Sequence, residues 1–157
     1  MNASPDPADA APLAPEDLYF NRELSWLSFN ERVLAEANRT SYPLLERLKF
    51  LSISGSNLDE FMMIRVAGIA GQMRSGVAEM SVDGRTPGQQ MAAIAAKYRE
   101  LVDLQQETLA RLRPQLAAQG IHIRGRTSID ELPEQVLRQH FLDHVMPVLT
   151  PQAIDPA

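Results

Sequence analysis

Apolar side chains recur at helical spacing along most of this chain, and this periodicity constrains its fold more than any other feature. The first stripe returns every three or four positions, on Trp26, Phe29, Val33 and Ala37, with Leu27 and Leu34 beside it. A second helix is expected after Pro43, which suits a first helical turn. Its buried stripe is leucine-rich: Leu44, Leu45, Leu48 and Leu51.

Small and polar residues between residues 52 and 56 predict the end of the second helix, because Gly55 and the neighbouring serines favour other backbone states. A third helix is then expected from Asn57, with Asn57 as N-cap and Glu60 as its capping-box partner. Asp59 and Glu60 would lie near the positive end of that helix dipole. This helix is expected to continue towards Gly76.

A long helix is predicted to begin at Pro87, because Thr86 is a good N-cap, Pro suits the first position and Gln89 stands three residues after Thr86. Met91, Tyr98, Gln105 and Leu112 repeat every seven residues, and apolar residues fill intermediate positions: Ile94, Leu101, Leu109 and Leu116. Pro114 conflicts with this pattern and predicts a kink or a break. The expected fold is an all-α antiparallel helical bundle with one long helix.

The pattern changes after Gly120, and this change predicts a truncated α/β segment. Residues 121–123 alternate like a short strand, and residues 132–146 indicate one more helix that ends at Pro147. We therefore divide the chain into residues 1–16, 17–120 and 121–157. Residues 1–16 are rich in Pro, Ala and Asp and are expected to be a disordered tail. Residues 17–120 form the bundle, and residues 121–157 begin an incomplete second domain.

Composition excludes several classes of function. With 157 residues and 45% hydrophobic content the chain can bury a core, while its net charge of -5 argues against general binding to nucleic acid. The absence of cysteine excludes disulfides and thiolate metal sites. No signal peptide or transmembrane segment is predicted, so the expected location is the cytoplasm.

Asn57 and Phe50 are the candidate binding residues. The amide of Asn57 can pair with the N6 and N7 edge of adenine, although an Asn at this place is also explained as a helix N-cap. Phe50 lies off the leucine stripe and could offer an aromatic face to a purine, or it could be core. Asp59 and Glu60 project about 100° apart on a helix and do not face one site. Arg65 could contact phosphate, or it could be a solvated surface group.

No catalytic residue and no metal site is predicted from the histidines. His140 and His144 stand four apart, as in a two-histidine metal site, but no accompanying Glu or third ligand is identifiable. We expect a structural role for this pair. His122 is isolated.

The chain resembles the N-terminal domain of bacterial polyphosphate kinases of the histidine-phosphorylating type. The resemblance rests on ELSWLSFNERVL at residues 23–34, PLLERLKFL at residues 43–51 and SNLDEF at residues 56–61. It covers residues 18–120, and more weakly residues 121–157, where MPVLTPQAIDPA looks like the start of the middle domain. In this family the Asn directly before Leu-Asp-Glu-Phe contacts adenine, and Asn57 has that position.

The resemblance implies a role within a larger enzyme. Such enzymes transfer the terminal phosphate of ATP to a polyphosphate chain through a phosphohistidine, with magnesium present. None of the three histidines of this chain matches the phosphate-accepting histidine. The implied partners are ATP, polyphosphate and further copies of the same subunit. The full-length complex is expected to be cytoplasmic with peripheral membrane association, and this chain is expected to be inactive alone.

A competing hypothesis makes this chain a non-catalytic helical interaction or oligomerisation module, with Asn57 only capping a helix. Bundles with exposed apolar stripes often serve that way. The two hypotheses differ in whether Asn57→Ala changes the dependence of activity on ATP in a full-length context.

Overall fold

A computed structural model describes residues 14–76, 79–125 and 133–151 of the chain. These ranges contain helices and no strand, so the predicted all-α fold is confirmed. In chain order they hold α1 (Pro15–Leu18), α2 (Arg22–Glu36), α3 (Leu44–Phe61), a π-helical turn (Met62–Val66), α4 (Ala67–Arg74), α5 (Pro87–Ala118), α6 (Glu134–His140), a second π-helical turn (Phe141–Val145) and a short 3-10 helix (Met146–Val148). None of these helices combines the length and the apolar character needed to cross a bilayer.

Three helical rods form the bundle. They are α2, the continuous rod from α3 through the first π-helical turn to α4, and α5, and each packs against the other two. The 32 residues of α5 give it a length of about 48 Å, so it can line the other two rods. The buried core comes from all three: Leu27, Leu34, Leu58, Phe61, Ile69, Ile94 and Leu101.

Polar residues occupy part of the buried face of α3, which the leucine stripe does not predict. Leu45 is 58% exposed, whereas Arg47 and Ser54 are buried. Arg47 Nε donates to the carbonyl of Ala37 at 2.9 Å, and its Nη1 donates to Gln115 Oε1 at 3.0 Å. Arg47 thereby joins the end of α2 to α3 and α5, and its charged group is satisfied although it is buried.

The predicted break within residues 52–56 is wrong, because α3 runs without interruption from Leu44 to Phe61. Ser54 is fully buried there, and its hydroxyl accepts a hydrogen bond from Gln105 Nε2 at 2.9 Å. Packing of α3 against two other helices outweighs the roughly 1 kcal/mol that Gly55 costs a helix interior. Asn57 is therefore not an N-cap, and Glu60 is not its capping-box partner.

The predicted start of α5 is confirmed. Thr86 Oγ1 accepts from the backbone N–H of Gln89, and the Gln89 side chain accepts from the backbone N–H of Thr86, which completes a capping box. Of the kink or break expected at Pro114, the break does not occur, because α5 continues to Ala118, and the kink stays a prediction. Leu112 and Leu116 are fully buried on either side of Pro114, so packing holds this part of the helix in place.

Gly120 ends the bundle, as the sequence predicts, with a φ of +77° that favours glycine. The strand predicted for residues 121–123 is wrong, since residues 121–125 are irregular and no partner strand exists in the described part of the chain. The helix predicted for residues 132–146 is present from Glu134 onwards. Most of the predicted tail lies outside the described residues, and α1 already begins at Pro15.

Candidate functional site

A cleft of about 320 Å³ opens between α2 and the junction of α3 with the first π-helical turn. Its volume falls at the lower end of the range of about 300–1,000 Å³ that is usual for small-molecule sites. Side chains of all three elements line it: Trp26 and Phe29 from α2, Asn57, Glu60 and Phe61 from α3, and Ile64 and Arg65 from the π-helical turn. We call this group the α2–α3 cleft.

An aromatic pair forms one wall of the α2–α3 cleft. The rings of Trp26 and Phe61 stack with their centroids 4.7 Å apart and their planes 14° apart. Phe61 is buried in the core, whereas Phe29 is 47% exposed at the cleft. The exposed ring of Phe29 and the part-buried ring of Trp26 present flat apolar surface, which suits a planar aromatic ligand.

Asn57 supplies the amide of the cleft from the last part of α3. Its Nδ2 donates to Asn30 Oδ1 at 3.3 Å, and Asn30 Nδ2 donates to the backbone carbonyl of Ser54 at 2.9 Å. The helix holds the Asn57 backbone, so its side chain is available to contact a ligand and is not needed to cap a helix end. The structure therefore places Asn57 in a cleft, as its proposed role in binding requires.

Glu60 and Arg65 add one charge of each sign to the cleft. The predicted interaction of Asp59 and Glu60 with a helix dipole is wrong, because both lie inside the continuous α3. Arg65 is exposed, and no ion pair of its guanidinium is found within the described ranges. A guanidinium beside flat apolar walls could pair with an anionic group of a bound ligand.

The π-helical turn at Met62–Val66 sets the direction of the cleft's second wall. A π-helical turn adds residues to the helix and changes the direction of the side chains that follow, and such turns are frequent at functional sites. Ile64 and Arg65 belong to this turn, and both line the cleft. The segment contains neither Pro nor Gly, so no local signal in the sequence predicts it.

Phe50, the second candidate, does not line the α2–α3 cleft. Its ring lies against Tyr42, with the centroids 5.5 Å apart and the planes tilted by 30°. Phe50 is half-buried near the start of α3, while Asn57 stands seven positions further along the helix. A contact between Phe50 and adenine stays a prediction.

The histidines lie apart from the α2–α3 cleft. The rings of His140 and His144 stack with their centroids 4.8 Å apart, and His144 Nδ1 lies 3.3 Å from the carbonyl oxygen of His140. His122 lines a separate shallow depression with Arg113 and Arg124. In the described ranges no three His, Asp or Glu side chains form a group that could hold a metal ion. The structural role expected of the histidine pair stays a prediction.

A second cleft, of about 430 Å³, adjoins the start of α2, and sequence reasoning did not find it. Residues from the α1–α2 region, α2 and the segment before α5 line it: Tyr19, Phe20, Asn21, Leu24, Ser25, Ser28, Arg32 and Arg85. Phe20 is 92% exposed there. Tyr19 and Phe20 directly precede the N-cap of α2, and two adjacent aromatic residues at a helix start are the signal that could have indicated it.

Asn21 organises the base of the second cleft through hydrogen bonds. Its Oδ1 accepts from the backbone N–H groups of Glu23 and Leu24 at 3.1 Å, and its Nδ2 donates to Asp83 Oδ1 at 3.0 Å. Burial raises the pKa of Asp83, but hydrogen bonds from Ser81 and Asn21 and the charge of Arg85 outweigh it, so the pKa is lowered. These contacts tie the start of α2 to the segment before α5.

Comparisons with known proteins show which family the chain resembles. Residues 19–124 match the family model described as the polyphosphate kinase N-terminal domain. The chain is similar to proteins named polyphosphate kinase: 56% identical over 146 residues to one from Erythrobacter litoralis, 49% over 140 residues to one from a Synechocystis species, and 47% over 156 residues to one from Mycobacterium avium. These alignments cover 93%, 88% and 96% of the chain.

The chain spans about a fifth of the length of these relatives, since the alignments cover 20%, 19% and 21% of them. No solved structure gives a significant match. The match to the family model includes α2, α3 and the whole α2–α3 cleft. The limits proposed for the tail and for the second domain stay predictions.

Proposed function

This chain belongs to the family of polyphosphate kinase N-terminal domains, and from this premise we propose that it forms the adenine-nucleotide-binding part of a polyphosphate kinase. In the complete enzyme the terminal phosphate of ATP would pass to polyphosphate through a phosphohistidine that lies outside this chain. We further propose that the complete protein is a cytoplasmic homo-oligomer. The observation that carries the nucleotide role is the position of Asn57 beside aromatic walls in one cleft.

The chemistry of the α2–α3 cleft supports adenine as the bound group. The rings of Trp26 and Phe29 offer apolar surface against which a purine can stack, and the buried Phe61 supports Trp26 from behind. The amide of Asn57 offers a donor and an acceptor that match the N7 and N6 positions of adenine. Arg65 lines the cleft, and its positive charge would pair with a phosphate of the nucleotide.

Magnesium is proposed for the complete enzyme and not for this domain. Glu60 is the one carboxylate among the described residues that line the cleft, which does not fit a protein-built magnesium site. Mg²⁺ in nucleotide sites takes many of its ligands from substrate phosphates and water. The role of this domain is therefore to bind and orient the base.

The proposal is tested by Asn57→Ala in the full-length protein. Loss of an amide that contacts adenine through two hydrogen bonds costs about 1–3 kcal/mol, so the apparent KM for ATP should rise about 5- to 150-fold with a smaller change in kcat. Steady-state kinetics of polyphosphate synthesis at varied ATP concentrations measures both constants. An unchanged KM for ATP would show that Asn57 does not bind the nucleotide.

Ser56→Ala is the matched control, because Ser56 is exposed on the same helix, one residue from Asn57. It should leave the KM for ATP unchanged, since Ala is a better helix former than Ser and no cleft contact is lost.

The alternative role as an interaction module is favoured by one observation. The helical segment from Glu134 packs mainly against itself and exposes apolar side chains, among them Val136, Met146 and Val148.

A further inference from the structure

Asn30 is a fully buried amide in the middle of α2, where an apolar residue would continue the core between Leu27 and Leu34. Burying an amide costs free energy unless its hydrogen bonds are made. Asn30 makes them, through its Nδ2 to the carbonyl of Ser54 and its Oδ1 to Asn57. Its position therefore calls for an explanation other than core packing, and the contact with Asn57 supplies one.

The carbonyl of Ser54 fixes the orientation of both amides. A carbonyl oxygen can only accept, so the atom of Asn30 that faces it at 2.9 Å must be the Nδ2 donor. The Oδ1 of Asn30 then faces Asn57, and an acceptor there requires Asn57 to present its Nδ2, as it does at 3.3 Å. A rotation of the Asn57 amide by 180° would bring two oxygens together in a part-buried site.

This orientation determines which groups of Asn57 remain for a ligand. An Asn amide has two N–H donors and one carbonyl acceptor, and Asn30 takes one donor. The remaining N–H and the Oδ1 of Asn57 have no partner among the described residues. Adenine offers a matching edge, with N7 as acceptor and the N6 amino group as donor, whereas guanine offers the acceptors N7 and O6.

We propose that Asn30 is a positioning residue that holds the amide of Asn57 in the orientation that selects a 6-aminopurine over a 6-oxopurine. This inference rests on the proposed function of the α2–α3 cleft. With Oδ1 of Asn57 fixed towards the 6-position of the base, ATP gains a hydrogen bond and GTP brings two acceptors together. Asn30 itself does not line the cleft and acts through Asn57.

Asn30→Leu in the full-length protein tests the proposal. Without the Oδ1 of Asn30 the Asn57 amide can rotate and donate to O6 of guanine. The ratio of kcat/KM for ATP to that for GTP should therefore fall at least about fivefold, mainly through KM. A purely structural role would lower kcat/KM for both nucleotides equally, and an unchanged ratio would overturn the proposal.

Two further variants separate amide orientation from general loss of stability. Asn30→Asp should keep the ratio, because burial favours the protonated carboxyl, whose O–H can donate to Ser54 while its other oxygen accepts from Asn57. Gln105→Met removes the 2.9 Å hydrogen bond to the Ser54 hydroxyl but leaves the Ser54 carbonyl in place. It should also keep the ratio. A loss of selectivity in either variant would contradict the proposal.

Nucleotide analogues test the same orientation in the unmodified full-length protein, in case Asn30→Leu does not fold. Purine riboside triphosphate lacks the N6 amino group, and ITP carries O6 in its place. Each should show a kcat/KM at least about fivefold below that of ATP. Equal use of all three would overturn the inference, while a raised KM for ATP in Asn57→Ala would leave the proposed function standing. An unchanged KM in Asn57→Ala would instead refute the proposed function.

Discussion

Buried polar side chains make many of the specific contacts between the helices of this domain. Arg47 joins α3 to the end of α2 and to α5, Asn30 joins α2 to α3, and Asn21 joins the start of α2 to the segment before α5. Removing one partner of such a bond leaves the other unsatisfied, at a cost of about 1–3 kcal/mol. Single residues at these positions therefore set the register of the helices.

Asp83 tests whether these buried polar contacts stabilise the fold. Its carboxylate is 1% exposed, accepts from Ser81 and Asn21, and pairs with Arg85. Asp83→Asn keeps an acceptor but turns an amide towards the guanidinium. We expect the free energy of unfolding at pH 7 to fall by about 1–3 kcal/mol, as measured by urea denaturation. The matched change Asp103→Asn, at an exposed position of α5, should alter it by less than about 0.5 kcal/mol.

The lowered pKa of Asp83 adds a pH dependence to this prediction. A carboxylate whose pKa is lower in the folded state contributes stability that is present above its ordinary pKa of 3.8 and is lost as the pH falls through its folded pKa. The difference between the unmodified chain and Asp83→Asn should thus be constant from pH 7 to pH 5 and shrink below about pH 3.8. A difference that persists unchanged at lower pH would contradict this assignment.

Single residues also show which part of the site the sequence could predict. Asn57 was found because a short motif and the chemistry of an amide both indicate it. The stack of Trp26 on Phe61 and the bond from Asn57 to Asn30 join residues that are far apart in the chain, and no local pattern contains that information. Asn30 is polar, so the apolar pattern of α2 does not indicate that it lies on the buried face.

At the scale of elements, local propensity predicted the start of α5 correctly and the end of α3 wrongly. Thr86 and Gln89 satisfy each other within one turn, so the capping box depends on local sequence alone. Gly55 follows the fully buried Ser54 in a helix that packs against α2 and α5, and the tertiary contacts of this helix decide the outcome there. The resulting continuous helix carries Asn57 on the same rod as the π-helical turn with Arg65.

Replacing Pro114 is expected to change the stability of α5, because the helix contains this proline without a break. A proline inside a helix removes one backbone hydrogen bond and destabilises the folded state by about 3 kcal/mol. It also lowers the conformational entropy of the unfolded chain, which stabilises the fold by about 0.4–1 kcal/mol. Pro114→Ala should therefore raise the free energy of unfolding by about 2 kcal/mol. Urea denaturation followed by the helical circular dichroism signal measures this gain.

The control for this change is Gln106→Ala, at an exposed position two turns earlier in α5. It alters side-chain propensity without restoring a backbone bond and should change the free energy of unfolding by less than about 0.5 kcal/mol. A Pro114→Ala variant no more stable than this control would mean that Pro114 does not destabilise the helix.

At the scale of the whole molecule, the charges of this chain suit binding of a base better than transfer of a phosphoryl group. Phosphoryl transfer requires cations around the transferring group and a positioned nucleophile. Arg65 is the one cationic side chain among the described residues that line the α2–α3 cleft, and the chain as a whole carries a net charge of -5. The chain also spans only about a fifth of the length of its relatives.

We therefore expect the purified 157-residue chain to show no ATP-dependent synthesis of polyphosphate, whereas the full-length protein should synthesise it under the same conditions. Incorporation of labelled γ-phosphate from ATP into polyphosphate measures both. Adding the short chain to the full-length protein should not change the yield per active site. Synthesis by the short chain that is abolished by Asn57→Ala would contradict this expectation, because nucleotide binding and phosphoryl transfer would then both reside in these 157 residues.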